Sequence, residues 1–190
     1  MRRARPTARA GFSLVELTVV VLVLALLSTV VYMTWEALLP RTRLNSAVRE
    51  LASTLMETRS DAIARGAEFR IEYYFEDEEE HPRGYRVVTP FRAGGIGGLA
   101  AWDDERMALP WKPLPENVEF RSITINGQVF TRGSCEVRFD TRGSGTEHTI
   151  VLVQKPYDNL YTIEVQALTG LIQFHDGEFS RQTPEDKDFN

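Results

Sequence analysis

The sequence predicts an α+β protein: a long N-terminal helix, membrane-spanning in its first half, packed through its second half on antiparallel β-sheet. Three observations carry this. Residues 11–33, GFSLVELTVVVLVLALLSTVVYM, hold a single charge, Glu16. Residues 44–63 keep apolar side chains near helical spacing. From residue 68 onward, short strand-like stretches alternate with turn residues.

Composition bounds the rest. The 190 residues suffice for one domain and an anchor, and 43% are hydrophobic, enough for a core beyond the N-terminal run. The net charge of −5 is uneven, because Arg2, Arg3, Arg5 and Arg9 crowd the first ten residues, which hold no acid. Without them 18 basic residues face 27 acidic ones, a net −9. An acidic body argues against a dedicated nucleic-acid or anionic-membrane surface, which needs clustered Lys and Arg. The single cysteine, Cys135, has no intrachain disulfide partner and reads as a small buried strand residue.

The N-terminal segment is too long for a cleaved secretory signal, whose apolar region runs about 7–15 residues before a small-residue site. Here Leu17 to Met33 is 17 residues, and Thr34, Trp35 and Glu36 follow in place of such a site. Phe12 to Met33 as a helix reaches roughly 33 Å, enough to cross a hydrocarbon core of about 30 Å. Ser28 and Thr29 can bond back to the helix, and Tyr32 and Trp35 stand where interfacial aromatics belong. Arginines before the run place the N-terminus in the cytoplasm and the acidic body outside. Neither a signal nor a plain span explains Glu16, since a carboxylate within a span costs roughly 2.5–3.5 kcal/mol on insertion scales.

The helical pattern continues past Pro40, which should kink or break the helix. Leu44, Ala47, Val48, Leu51, Leu55, Ala62 and Ile63 form the apolar stripe, with Arg43, Glu50, Glu57 and Asp61 elsewhere. Gly66 follows Arg65 as a left-handed cap. The expectation is one helix from about 13 to 65.

Strands are expected at 68–75 and 85–89, around the polar turn EDEEEHPRG of residues 76–84. Five acids in a run read as a solvated tip, because the spaced D-x-D-x-D-G cation loop is missing. Residues 90–117 read as an irregular insertion, with Trp102 and Trp111 folding back and no phosphate-loop motif among its glycines. Long loops of this kind often carry function. Beyond it, Val118–Ile125 and Gln128–Thr131 flank Asn126-Gly127, a strong hairpin signal. Cys135–Asp140 and Thr149–Gln154 flank TRGSGTEH as a second hairpin, and Tyr161–Ala167 and Leu171–His175 flank a Leu-Thr-Gly turn as a third. The count is seven or eight strands, with a polar tail at 181–190.

The chemistry-bearing residues do not form an enzyme motif. His81, His148 and His175 are scattered, and no H-E-x-x-H, C-x-x-C or G-x-S-x-G is present. Ser144, His148 and Asp140 can be written as a triad, yet neighbouring strands of one hairpin rarely bring such residues together. Arg121, Arg132, Arg138 and Arg142 sit in neighbouring expected strands and could form the basic groove that a DNA-binding reading would need, but arginines scattered over exposed strand faces are the more usual case.

The N-terminal residues Gly11, Phe12, Ser13, Leu14, Val15, Glu16 and Leu17, behind a short basic leader and ahead of an apolar helix, resemble the type IV pilin signature. FDTRGSG at 139–145 and YTIEVQALTGLIQF at 161–174 further resemble the minor pseudopilins of type II secretion of the H type and the related FimT-like pilins. The resemblance implies a pilin-like fold and cleavage by prepilin peptidase between Gly11 and Phe12. It also implies N-methylation of Phe12, and retention of the apolar helix as filament core. It implies, too, that Glu16 pairs with the Phe12 amine of a neighbouring pilin or pseudopilin subunit, neutralising two charges that are each costly to bury.

The implied organisation is a leader at 1–11, a transmembrane or filament-core helix at 12–35, an amphipathic continuation at 36–66, a β domain at 67–180 and the tail. The implied place is the inner membrane, single-pass, with an extracytoplasmic body. The implied role is that of a structural subunit of a type II secretion pseudopilus, which helps export folded proteins, with no cofactor. The alternatives are a minor type IV pilin serving assembly, adhesion or DNA uptake, and an anchored extracytoplasmic protein that never polymerises.

Overall fold

A computed structural model describes residues 13–75, 82–94 and 98–179, with the side chains of residues 30–40 left aside. Residues 1–12, 76–81, 95–97 and 180–190 lie outside the described residues, and with them Gly11, Phe12, the acidic tip and the polar tail. The chain divides into two units, Met1–Pro40 and Arg41–Asn190.

One helix, α1 (Leu14–Arg65), runs through both units. Its backbone stays helical at Pro40, so the expected break does not occur. The helix ends where the sequence marks it. Gly66 takes φ +59°, its N–H donates to the Ile63 carbonyl, and the Ala67 N–H donates to the Ala62 carbonyl. That pair of bonds is a Schellman cap, and it needs a residue that tolerates the left-handed region.

Ten strands follow: β1 (Phe69–Tyr74), β2 (Gly84–Arg92), β3 (Arg106–Ala108), β4 (Lys112–Pro113), β5 (Val118–Ile125), β6 (Gln128–Phe130), β7 (Ser134–Phe139), β8 (His148–Gln154), β9 (Asn159–Val165) and β10 (Ile172–Asp176). They form two antiparallel sheets, one ordered β3-β2-β1-β7 with β4 also on β2, the other β10-β9-β8-β5-β6. Three expectations are corrected here. Among the described residues the strands number ten, because part of the 90–117 stretch forms strands. β2 runs on to Arg92, a 3-10 turn covers Asp103–Glu105, and β3 and β4 pair with β2. β7 and β8 are not a hairpin: β7 pairs with β1 and β8 with β5 and β9, so residues 140–147 cross between sheets. Trp111 folds back, edge-on to Tyr74 with ring centroids 5.0 Å apart, but Trp102 is 72% exposed.

The core of the body joins α1 to the inner faces of both sheets. Leu44, Ala47, Val48, Leu51, Leu55 and Ala62 of α1 share one buried cluster with Ile71 and Tyr73 of β1, Val137 of β7, Ile150 and Leu152 of β8, and Ile163 of β9. Ile63, expected in that stripe, is half exposed instead. Tyr73 bridges the layers, with Phe120 of β5 edge-on at 5.7 Å. A bulge at Arg121 shifts the register of β5, so that Phe120 and Ile123 both turn inward. Arg59 of α1 ties two loops to the helix, its Nε donating to the Gly143 carbonyl at 2.9 Å and its Nη2 to the Thr169 carbonyl at 2.7 Å.

Candidate processing and assembly site

The site expected from the sequence is the junction Gly11–Phe12 with Glu16 behind it. Gly11 and Phe12 lie outside the described residues; Glu16 does not. Ser13 precedes the first turn of α1, and the Leu17 N–H makes the first helical bond, to the Ser13 carbonyl at 3.1 Å. Glu16 Oε2 accepts the Ser13 backbone N–H at 3.2 Å. This is the glutamate half of a capping box, in which a carboxylate at the third helical position satisfies a backbone donor that the helix leaves open. The carboxylate also sits at the positive end of the helix dipole. The sequence carries this signal as Ser13-x-x-Glu16 before an apolar run, a spacing separate from the charge anomaly.

Behind Glu16 the helix is apolar all round. From Leu14 to Leu27 the large apolar side chains are between 47% and 78% exposed. Apolar surface around a whole helix circumference calls for lipid or other helices. Its hydroxyls are already satisfied: Thr18 donates to the Val15 carbonyl, Ser28 to that of Leu24 and Thr29 to that of Ala25, at 2.8, 2.7 and 3.0 Å. Such back-bonding leaves no free side-chain donor on these turns. Among the described residues no helix is long and apolar enough to cross a membrane. The span expected over 12–35 lies partly outside them, since Phe12 and the side chains of residues 30–35 are not described.

In the body, the residues once written as a triad have other partners. Asp140 Oδ1 accepts the backbone N–H groups of Arg142 and Ser144, and the Ser144 hydroxyl points to the Leu168 carbonyl. His148 is buried between the sheets, its Nδ1 at 2.6 Å from the Thr146 carbonyl and its Nε2 at 3.5 Å from the Tyr73 hydroxyl. A carbonyl only accepts, so Nδ1 carries the proton and Nε2 is the acceptor. Burial pushes this imidazole down to about 4, and the Thr146 bond offsets only part of that. Burial likewise pushes the Cys135 thiol up to about 12, leaving it inert.

Two of the arginines weighed for a basic groove are scattered, as the more usual case has them. Arg121 on β5 pairs with Glu178 and Arg138 on β7 with Glu136, and those strands belong to different sheets. Among the described residues no group of three or more His, Cys, Asp or Glu side chains is gathered for a metal.

Comparison with known proteins places these features. The prokaryotic N-terminal methylation motif matches residues 6–32, which takes in the end of the expected leader, the junction and Glu16. The family described as type II transport protein GspH matches residues 47–169, about two thirds of the chain. The chain belongs to the GspH family. As a GspH protein with a methylation motif it is a pilin-type structural subunit, a minor pseudopilin or minor pilin. No curated protein matches its sequence.

Among solved structures it is similar to the type IV minor pilin FimU of Pseudomonas aeruginosa strain PAO1. That likeness has 18% identity, a TM-score of 0.46, and covers 71% of this chain and 90% of that one. A second crystal form of FimU gives 16% identity and a TM-score of 0.42 over 69% and 91%. The minor pseudopilin EpsH of the Vibrio cholerae type 2 secretion system gives 15% identity and a TM-score of 0.44 over 69% and 94%.

Proposed function

We propose that this GspH-family chain is a minor pseudopilin of a type II secretion pseudopilus, made as a precursor and retained in the inner membrane by its N-terminal helix. Prepilin peptidase cuts between Gly11 and Phe12 and methylates the new amine of Phe12. The apolar turns from Leu14 onward then serve first as anchor and later as filament core, with the body extracytoplasmic. The observation that carries the reading is the pairing, in one chain, of a methylation motif over residues 6–32 with a GspH body over 47–169.

Glu16 has two successive tasks in this account. In the single subunit it accepts the Ser13 N–H. In the assembled filament it meets the Phe12 ammonium of a neighbour, and each charge removes the other's burial penalty. Breaking a buried ion pair by removing one member costs about 3–5 kcal/mol. Loss of one cap costs about 0.5–2 kcal/mol. The larger loss falls on assembly and the smaller on the helix start. Glu16→Ala is therefore expected to be cleaved and membrane-inserted like the wild type, yet to lose recovery of other pilin-type subunits in crosslinking and pull-down. Equal recovery by both would remove the pairing role and leave Glu16 as a cap alone.

A further inference from the structure

β10 is an open edge, and its backbone geometry can be read from two bonds. The Gln166 N–H donates to the Leu171 carbonyl and the Gly177 N–H to the Leu160 carbonyl, each at 3.0 Å. The register between them runs Ile172↔Val165 through Asp176↔Tyr161. Hydrogen-bonded positions alternate along an antiparallel pair. Residues 171, 173, 175 and 177 therefore turn their backbone groups toward β9, and Ile172, Phe174 and Asp176 turn theirs outward. No hydrogen bond among the described residues uses those outward groups.

The other edges differ. β3, β4 and β6 are two or three residues long. On β7 the chain itself takes up only the far end, with Arg138 bonded to Thr146 in both directions and Phe139 bridged to Gly145, and the rest of that edge carries the paired charges Glu136 and Arg138. β10 has five residues, no proline, no lysine or arginine and no bulge, which are the usual defences of an edge. Phe174 on it is 44% exposed and the preceding Leu171 51%.

The surroundings fit an added strand. β10 runs beside α1, from Asp176, which shares a groove of about 690 Å³ with Asn45, to Gly170, which abuts Arg59. Asn45, Ala52, Met56, Arg59 and Ile63 recur at helical spacing on that flank, and Met56 and Ile63 are about half exposed. Inward side chains of a new strand would meet this flank and Phe174. Asp176 is exposed, with no ion-pair partner among the described residues.

We infer that the outer edge of β10 docks an extended segment of another pilin-type subunit, apolar at alternate positions and basic where it passes Asp176. This rests on the assembly proposed above and names a second surface for it. As far as residue 179 the chain turns away from the edge: Phe179 donates its N–H to Thr162 Oγ1 and stacks on His175 at 3.8 Å, and Glu178 reaches Arg121 of β5. A second copy does not fit. Antiparallel pairing about Phe174 sets Asp176 against Ile172, and parallel in-register pairing sets Asp176 against itself. A heterologous strand with a cation supplies what both lack.

The test uses the full-length chain in cells that carry prepilin peptidase and the other pilin-type subunits. A photo-crosslinking residue at position 174 should form an adduct with a pilin-type subunit, while one at Val129 on β6 should not. Phe174→Lys and Phe174→Pro should each cut recovery of that subunit by about tenfold or more. Phe174→Pro removes only an outward N–H, so β9 pairing survives, and unchanged melting of the body checks this. If the wild type recovers pilin-type subunits and both variants recover as much, the edge surface is overturned and the assembly reading stands. An adduct at Val129 alone, or at 174 only with a second copy or a protein of another kind, also overturns the surface. Recovery of no pilin-type subunit by the wild type overturns the assembly reading and the surface with it.

Discussion

A Cβ placed on Gly170 would stand 2.4 Å from Arg59 Nε and 2.5 Å from the Gly143 carbonyl oxygen, so the guanidinium of α1 and the turn between β9 and β10 fit only because residue 170 has no side chain. Gly170 also holds φ +59°, where other residues are strained. The same guanidinium binds the loop from β7 to β8 through Gly143, whose own Cβ would meet Ile63 at 2.6 Å. Two glycines and one arginine thus lock both loops to the helix.

Gly170→Ala should lower stability by about 2–4 kcal/mol, combining left-handed strain with a clash against backbone. Arg59→Ala should cost about 1.5–3 kcal/mol through two lost charged hydrogen bonds. Because the residues share one contact, the double mutant should cost less than the sum. Denaturant titration of the body, residues 41–190, measures all three. Additive losses would mean that the residues act independently.

The same body should fold without residues 1–40, because its core is complete from Leu44 onward. Leu51 and Leu55 are fully buried, and each change to Ala should cost about 2–5 kcal/mol. Near-wild-type thermal melting for either would mean that α1 is not docked on the sheets in solution.

Much of this arrangement was legible in the sequence, and the exceptions have physical causes. The helix limits, the Gly66 cap and the limits of β5 follow from local chemistry. Asn126 and Gly127 both take positive φ, as a two-residue hairpin turn requires. The division into two sheets was not legible. β7 pairs with β1 across the register Phe69↔Phe139, a contact far apart in sequence, and nothing in CEVRFD distinguishes that partner from β8. Nothing in the sequence distinguishes Arg59 from the other cations of the helix; only the folded loops reveal its two carbonyl partners. At the N-terminus the sequence exposes Glu16 as anomalous, and the Ser13-x-x-Glu16 spacing carries its hydrogen bond to the Ser13 N–H.

His148 gives the body a defined pH response. The unfolded chain binds a proton on this ring below about 6.5, the folded chain only below about 4. The folded pKa is depressed, so the stabilisation is complete above pH 6.5 and is lost as pH falls through that window. The loss totals about 3 kcal/mol. Tm measured from pH 7.5 to pH 4 should fall mainly below 6.5, and His148→Asn should flatten that slope. An identical slope in the variant would assign the acid response to other groups.

The mass of the mature N-terminus tests the central claim most directly. Protein extracted from membranes of cells with active prepilin peptidase should begin at Phe12, carry one added methyl group on its amine and retain residues 12–35. Gly11→Leu should leave the precursor uncut, because a bulky side chain then occupies the position beside the scissile bond. A mature chain that begins after residue 33, or an unprocessed leader in the wild type, would contradict the account.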